Sequence, residues 1–158
     1  MLRIIIASIA LLFSSGAMAQ EEKWVWAGSG ANGDLVSVSF LDITTIEQKG
    51  AYKRGWSTDV FASVSKDTSK EFHANIYEEY DCNNRKMRRL QFTIYMDNDI
   101  TTTTPENPAW SFVNPSTKGG EVYSVICSNG PYETLPSAFD PVEGIEFVRK
   151  ALRAGVNQ

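Results

Sequence analysis

The first twenty residues restrict what this chain can fold into, because they predict where it folds. Arg3 precedes an apolar run over 4–13, and small residues then lead to an A-x-A pattern that ends at Ala19. This order is typical of a secretory signal peptide. The apolar run is shorter than the about 20 residues of a membrane-spanning helix. We therefore expect residues 1–19 to be a cleaved signal peptide and residues 20–158 to form one exported domain.

Export and charge restrict the partners of the mature chain. ATP-dependent chemistry and most nucleic-acid binding take place inside the cell, and a net charge of −4 argues against a polyanionic partner. No later segment is long and apolar enough to span a bilayer, so we expect no membrane span. No cysteine adjoins the cleavage site, and no lipid anchor is expected there.

Two cysteines, Cys82 and Cys127, predict one disulfide bond. Bridges form and persist in exported proteins, and two cysteines allow a single intramolecular pairing. We expect this bond to join the sheet to the helical part of the chain.

Period-two alternation of apolar residues predicts an antiparallel sheet. The predicted strands are 24–27, 35–41, 51–65, 72–82, 89–97 and 110–113. The glycine-rich segment 28–34 predicts a turn between the first two strands. In the fifth strand, we expect four apolar residues to point inward: Leu90, Phe92, Ile94 and Met96.

Two helices are predicted after the last strand. Ser116 and Thr117 are suited to cap a short helix that runs towards Cys127. Asp140 and Pro141 have the residue types of a second helix start. An apolar stripe along that helix is expected to pack on the sheet: Val142, Ile145, Val148 and Leu152. The chain is thus predicted to be an α+β domain with an antiparallel sheet of about six strands and a C-terminal helix packed on it.

The sequence offers little material for catalysis or metal binding. His73 is the single histidine, and we expect it to be an exposed strand residue. Glu78 and Glu79 are neighbours on a strand, so they point to opposite faces and do not form a catalytic pair. Asp97 and Asp99 are best explained as a solvated turn. We expect no enzyme activity, no cofactor and no metal site.

Two features could carry recognition. The run Arg85–Arg89 is the only basic cluster, either a charged hairpin end that discourages edge pairing or a patch for an acidic partner. In the second case the binding residues are Arg85, Lys86, Arg88 and Arg89. The other feature is the set of four tryptophans, which either fill the core or form an interface. For Trp24 and Trp26 we expect core packing.

Several short motifs occur in an order that resembles the bacterial surface-adhesin protein E family. They are Tyr80-Asp81-Cys82, an aromatic strand ending at Tyr95, Trp110-Ser111-Phe112-Val113-Asn114-Pro115-Ser116 and Val125-Ile126-Cys127. The resemblance implies a sheet of about six strands, a helix held on it by a Cys82–Cys127 bridge, and often a dimer. It also implies a surface protein that binds host matrix and serum proteins.

These observations lead to two functional hypotheses. The first is an exported, non-catalytic binding protein of the Gram-negative envelope, adhesin-like, with a protein partner. Such a chain would be periplasmic or secreted, with display at the cell surface in the manner of the family. The second is a periplasmic inhibitor or immunity protein that blocks an enzyme.

Overall fold

The computed structural model describes most of the chain beyond the predicted signal peptide, which lies outside the described residues. The described residues are 22–33, 35–63, 72–96, 99–106, 108–136, 139–141 and 143–144. This described part forms seven strands and a ten-residue helix: β1 Trp24–Asn32, β2 Leu35–Lys49, β3 Tyr52–Ser63, β4 Phe72–Asp81, β5 Lys86–Met96, β6 Asp99–Thr103, β7 Ser111–Phe112 and α1 Lys118–Cys127.

The strands form one antiparallel meander. Each strand from β1 to β6 pairs with the next along the chain. The short β7 pairs with the start of β5, where Phe112 lies opposite Lys86, and β6 pairs with the end of β5 from Phe92 to Met96. Helix α1 packs on this sheet. The predicted class, an α+β domain with an antiparallel sheet of about six strands, a packed helix and one disulfide, is confirmed.

Each face of the sheet carries an apolar cluster. On the face that α1 covers, here called the helix face, buried residues of sheet and helix pack together: Leu41, Tyr80, Val122 and Ile126. On the opposite face, a smaller cluster joins the sheet to the segment after α1: Val38, Phe40, Val60, Leu135 and Phe139. The alternation predicted one buried face, and the second is buried because the chain folds back over it after α1.

Helix α1 has partners for its terminal backbone groups. Thr117 is the N-cap, and its hydroxyl accepts a hydrogen bond from the Gly120 N–H at 3.3 Å. At the other end, Lys53 Nζ donates to the carbonyl oxygens of Ile126 and Ser128 at 3.0 and 3.1 Å. A cation at this end also interacts favourably with the helix dipole. The cap predicted from the sequence is confirmed.

A disulfide bond holds the end of α1 to the sheet. Cys82 follows β4 directly, and its Cα atom lies 5.5 Å from that of Cys127, the last residue of α1. The Tyr123 hydroxyl adds a hydrogen bond of 2.8 Å to the Cys82 carbonyl oxygen. The predicted bridge between the sheet and the helical part of the chain is confirmed.

Strand β1 continues into the segment 28–34, for which the sequence predicts a turn, and that prediction is wrong as far as Asn32. The reason lies in the packing of α1 on this strand. A Cβ atom added at Gly28 would lie 2.7 Å from Glu121 Oε2 and 3.0 Å from the Glu121 Cβ, so the Glu121 side chain would have to shift. Glu121 Oε2 also accepts a hydrogen bond of 2.8 Å from the Ser29 N–H. Glycine here permits the close approach of the helix.

A β-bulge interrupts the alternation of β5. Leu90 has no partner in β4, because the residues on its two sides pair with consecutive residues of that strand. Met96, at the end of β5, is 39% exposed. The prediction of one inward-pointing row from Leu90 to Met96 is therefore wrong at Met96, and the bulge at Leu90 interrupts the regular alternation at the other end.

The structure describes only the start of the second predicted helix. Its first turn is present, with a hydrogen bond of 2.8 Å from the Gly144 N–H to the Asp140 carbonyl oxygen. Gly144 is buried beside the rings of Phe139 and Phe40. The predicted stripe lies outside the described residues: Val142, Ile145, Val148 and Leu152.

Candidate functional site

The basic cluster begins in the turn between β4 and β5. Arg85 is exposed and has a φ of 52°, a left-handed conformation that tight turns require. Its carbonyl oxygen accepts a hydrogen bond of 2.9 Å from the Val113 N–H, which fixes β7 beside the turn. The Lys86 ammonium lies 4.9 Å from the centre of the Phe112 ring. We call Arg85, Lys86 and Phe112 the basic corner.

Phe112 is the most exposed large apolar side chain of the described residues, with 79% of its surface accessible. No ion pair among the described residues involves Arg85 or Lys86. The short strand predicted at 110–113 includes Phe112, but its exposure was not predicted. No sequence signal distinguishes it, because an aromatic residue on a strand is more often buried.

Arg88 has a different role, because it balances a buried carboxylate on the opposite face. Glu79 is 1% exposed and lies between Arg54 and Arg88. Each guanidinium Nε donates to one carboxylate oxygen at 2.7 Å. The hydrogen bond to Glu79 raises the pKa of Arg54. Arg88 also packs 4.5 Å from the Trp110 ring centre, so it is held on two sides.

Arg89 points to the helix face, towards a second buried carboxylate. Its Nε lies 3.5 Å from Glu78 Oε1, which is long for a charged pair. The other oxygen of Glu78 accepts a hydrogen bond of 2.6 Å from the Tyr80 hydroxyl. Burial raises the pKa of Glu78, and burial together with Glu78 raises that of Tyr80. Glu78 and Glu79 thus have separate arginine partners, as their adjacent strand positions predict.

The structure therefore divides the four predicted binding residues. Arg88 and Arg89 contact buried carboxylates, whereas Arg85 and Lys86 lie with Phe112 at the corner of the sheet. A patch of four equivalent surface cations is not present. The division follows from the neighbours of each residue. Arg88 and Arg89 lie opposite Glu79 and Glu78 of β4, whereas Arg85 lies in the turn and Lys86 is the first residue of β5.

The tryptophans lie mostly at the edges of the core. Trp26 is 51% exposed, and its ring makes an edge contact with Phe40 at 5.9 Å, so the prediction of core packing is wrong for it. Trp24 is partly buried and packs on the opposite-face cluster. Trp56 stacks on Tyr77 with ring centres 4.9 Å apart. Trp26 lines a groove of about 510 Å³ with Val125, Tyr132 and Leu135.

His73 is more buried than the sequence predicts. Its ring stacks on Tyr95 with centres 4.5 Å apart and planes 6° from parallel. Burial lowers the pKa of His73, with an opposing effect from the Asp140 charge. Among the described residues, no three histidine, cysteine, aspartate or glutamate side chains cluster as metal ligands. None of the described helices could span a membrane.

Comparison with known proteins identifies the family. The sequence matches the family model of surface-adhesin protein E over residues 24–128. Crystal form II of Haemophilus influenzae protein E has a TM-score of 0.43 and 13% identity, over 58% of this chain and 80% of that chain. Protein E from non-typeable Haemophilus influenzae has a TM-score of 0.42 and 11% identity, over 84% and 88%. No curated protein matches the sequence. With a match that extends from β1 beyond the end of α1, the chain belongs to the surface-adhesin protein E family.

Proposed function

We propose that this chain is an exported, non-catalytic binding protein of the Gram-negative envelope, and that it binds a host matrix or serum protein through the basic corner. Membership of a family of surface adhesins supports binding of a macromolecule as its role. The observation that carries the choice of surface is Phe112, which is 79% exposed beside a lysine ammonium. Large side chains that lose water on association supply most interface energy.

The cations of the corner have a complementary role. Arg85 and Lys86 raise the positive potential around Phe112 in a chain whose net charge is −4. Such local charge increases the association rate with an acidic surface more than it increases the lifetime of the complex. Arg88 and Arg89 contact Glu79 and Glu78 instead and are not part of the basic corner.

Paired substitutions test this assignment. The mature protein is immobilised, serum and matrix proteins that bind it are identified, and association and dissociation rates are measured for each. Phe112→Ser should raise the dissociation rate about tenfold or more. Ile100→Ser is the matched control, because Ile100 is an apolar residue with 69% exposure on β6, away from the corner. Equal effects of the two changes would place the binding surface elsewhere.

The charge contribution is tested separately. The double variant Arg85→Gln, Lys86→Gln should slow association and reduce its dependence on salt, because exposed charges are screened beyond about 10 Å at 0.1 M. Lys49→Gln removes a cation whose side chain is 51% exposed and should have little effect. Arg88 and Arg89 stay unchanged, because removing them would take charged partners from the buried carboxylates of Glu79 and Glu78 and lower the stability of the fold.

The corner also suits the alternative function, inhibition of an enzyme. A protruding aromatic side chain flanked by cations could enter a cleft with an acidic rim. Under this reading the partner is a bacterial or host enzyme, and its activity falls as the protein is added. Tight binding to a matrix protein without inhibition of any co-purified enzyme would exclude it.

We also propose that residues 1–19 direct export, and that the mature chain reaches the periplasm or the cell surface. Fractionation of cells that produce the full chain should recover a product starting at Gln20, outside the cytoplasm. Protease treatment of intact cells then separates surface display from a periplasmic location. Turnover of a peptide or glycan by the purified protein would overturn the non-catalytic assignment.

A further inference from the structure

A cavity of about 300 Å³ lies between the helix face of the sheet and the first turn of α1. Its volume equals that of about ten water molecules at roughly 30 Å³ each, which is at the lower end of small-molecule sites, roughly 300 to 1,000 Å³. Its walls combine four charged side chains with apolar ones: Asp59, Glu78, Arg89, Lys118, Ile76 and Val122. This mixture is unusual for the inner side of a helix on a sheet.

The two carboxylates are buried but differ in how well they are bonded. Asp59 accepts a hydrogen bond of 2.5 Å from the Ser39 hydroxyl and is also bonded by the Lys118 ammonium. Glu78 is 5% exposed, and its Oε2 accepts the hydrogen bond of 2.6 Å from the Tyr80 hydroxyl. Its Oε1 has only the long contact with Arg89 as a charged partner among the described residues. Arg89 has a side chain that is 46% exposed, so it marks the opening of the cavity towards solvent.

Stability alone does not explain these charges. Removing a carboxylate from water costs several kcal/mol, and apolar residues of similar volume often stabilise a core as well or better. The ion pair between Glu78 and Arg89 is too long to offset that cost fully. A ligand that bonded Glu78 and Arg89 separately would replace their one weak contact with two strong ones.

We propose that this cavity binds a small zwitterion, an α-amino acid with an apolar side chain. The ligand ammonium group bonds the Glu78 carboxylate, and the ligand carboxylate bonds the Arg89 guanidinium. The apolar side chain packs against Ile76 and Val122. This site lies beneath α1 and is independent of the basic corner.

The charge balance of the walls favours a zwitterion over a simple ion. Asp59 and Glu78 offset Lys118 and Arg89, so the four side chains have no net formal charge. An amine that bonded Glu78 would leave Arg89 without its carboxylate partner. A carboxylate that bonded Arg89 would leave Glu78 without its cation. A molecule that carries both charges leaves neither group unpaired, which is the condition for a low cost of burial.

Binding of L-leucine, L-valine and L-methionine to the dialysed mature protein tests the proposal by calorimetry. At least one should bind saturably in a one-to-one ratio. For leucine, the matched analogues are isopentylamine, which lacks the carboxylate, and 4-methylpentanoate, which lacks the amine. Each should bind at least about tenfold more weakly than leucine, because each loses a charge-assisted hydrogen bond. No binding of the three amino acids, or equal binding of the analogues, would overturn the proposal.

Substitutions in the cavity locate the site. Glu78→Gln and Arg89→Met should each weaken amino-acid binding about tenfold or more. Lys49→Met is the control, because Lys49 is an exposed residue paired with Glu47 at a distant strand end. If Glu78→Gln fails to fold, Arg89→Met decides the question, since the Arg89 side chain is half-exposed. Unchanged affinity in a folded Arg89→Met variant would exclude the cavity as the binding site.

Discussion

Arg88 Nε donates a hydrogen bond of 2.7 Å to Glu79 Oε2, and this contact joins β5 to β4 on the opposite face of the sheet. The carboxylate is 1% exposed, so its charge is stable there only with cations close by. Arg88, which belongs to the basic run of the sequence, therefore stabilises the fold by neutralising a buried charge.

Arg88→Met should lower the free energy of unfolding by about 3 kcal/mol, the cost of leaving a buried charge without one of its partners. Urea denaturation of the purified variant measures the change. Lys86→Met is the control and should change the value by less than about 0.5 kcal/mol, since Lys86 packs on an exposed ring. Equal losses in the two variants would mean that Glu79 does not depend on Arg88.

The disulfide should be a major contributor to stability. It joins residues 45 positions apart, and chain entropy alone assigns about 4 kcal/mol to a loop of that length. Replacing Cys82 and Cys127 by serine should lower the free energy of unfolding by up to this amount. Thiol titration of the denatured, unreduced protein should detect no free thiol, and two thiols per chain would contradict the bridge.

Two adjacent glycines in the first turn of α1 should respond in opposite ways to alanine. A Cβ atom at Gly120 would overlap the backbone of Asn114 and Pro115, so Gly120→Ala should destabilise by about 1–3 kcal/mol. A Cβ atom at Gly119 meets its nearest neighbour, Met87, at 3.9 Å. Gly119→Ala should be neutral or stabilise by up to about 1 kcal/mol. Melting temperatures compare the pair, and a larger loss at Gly119 would contradict the packing of α1.

His73 should make stability fall at mildly acidic pH. Burial lowers its pKa below the ordinary value, so protons bind the unfolded chain more readily than the folded one. Its stabilising contribution is present above the unfolded pKa of about 6.5 and is lost as pH falls through the window below it. The facing groups are Tyr95, which stacks on the ring, and Asp140, whose charge opposes the effect.

The matched variant for this effect is His73→Gln. Between about pH 7.5 and about pH 5.5, on either side of the ordinary pKa, the unmodified protein should lose more stability than the variant. Denaturation at both pH values gives the difference, in which the titration of other groups cancels. Parallel losses in the two proteins would show that the His73 pKa is the same in the folded and unfolded chains.

Local patterns predicted local structure well. The cap at Thr117, the alternation of β4 and the single cysteine pairing depend on residues close in sequence or on a unique choice. The predictions failed where a distant segment intervened. β1 extends past Gly28 because α1 packs on it, and alternation in β5 breaks at Leu90 because of a bulge.

The candidate sites show the same division. The basic run was visible in the sequence. Its division into Arg85 and Lys86 beside Phe112, and Arg88 and Arg89 in contact with buried carboxylates, was not. Phe112 was missed because an aromatic strand residue is ordinarily buried. The cavity beneath α1 had no sequence signal, since its charged walls come from strands and a helix far apart in the chain.

Sequence was sufficient to predict the strand periodicity, the helix start at Thr117 and the identity of the two bridged cysteines. These follow from neighbouring residues or from counting. Which charges are buried, which aromatic side chains face solvent and where a cavity remains depend on contacts between segments far apart in the chain. Period two assigns a side chain to a face of the sheet, but burial depends on what later folds over that face.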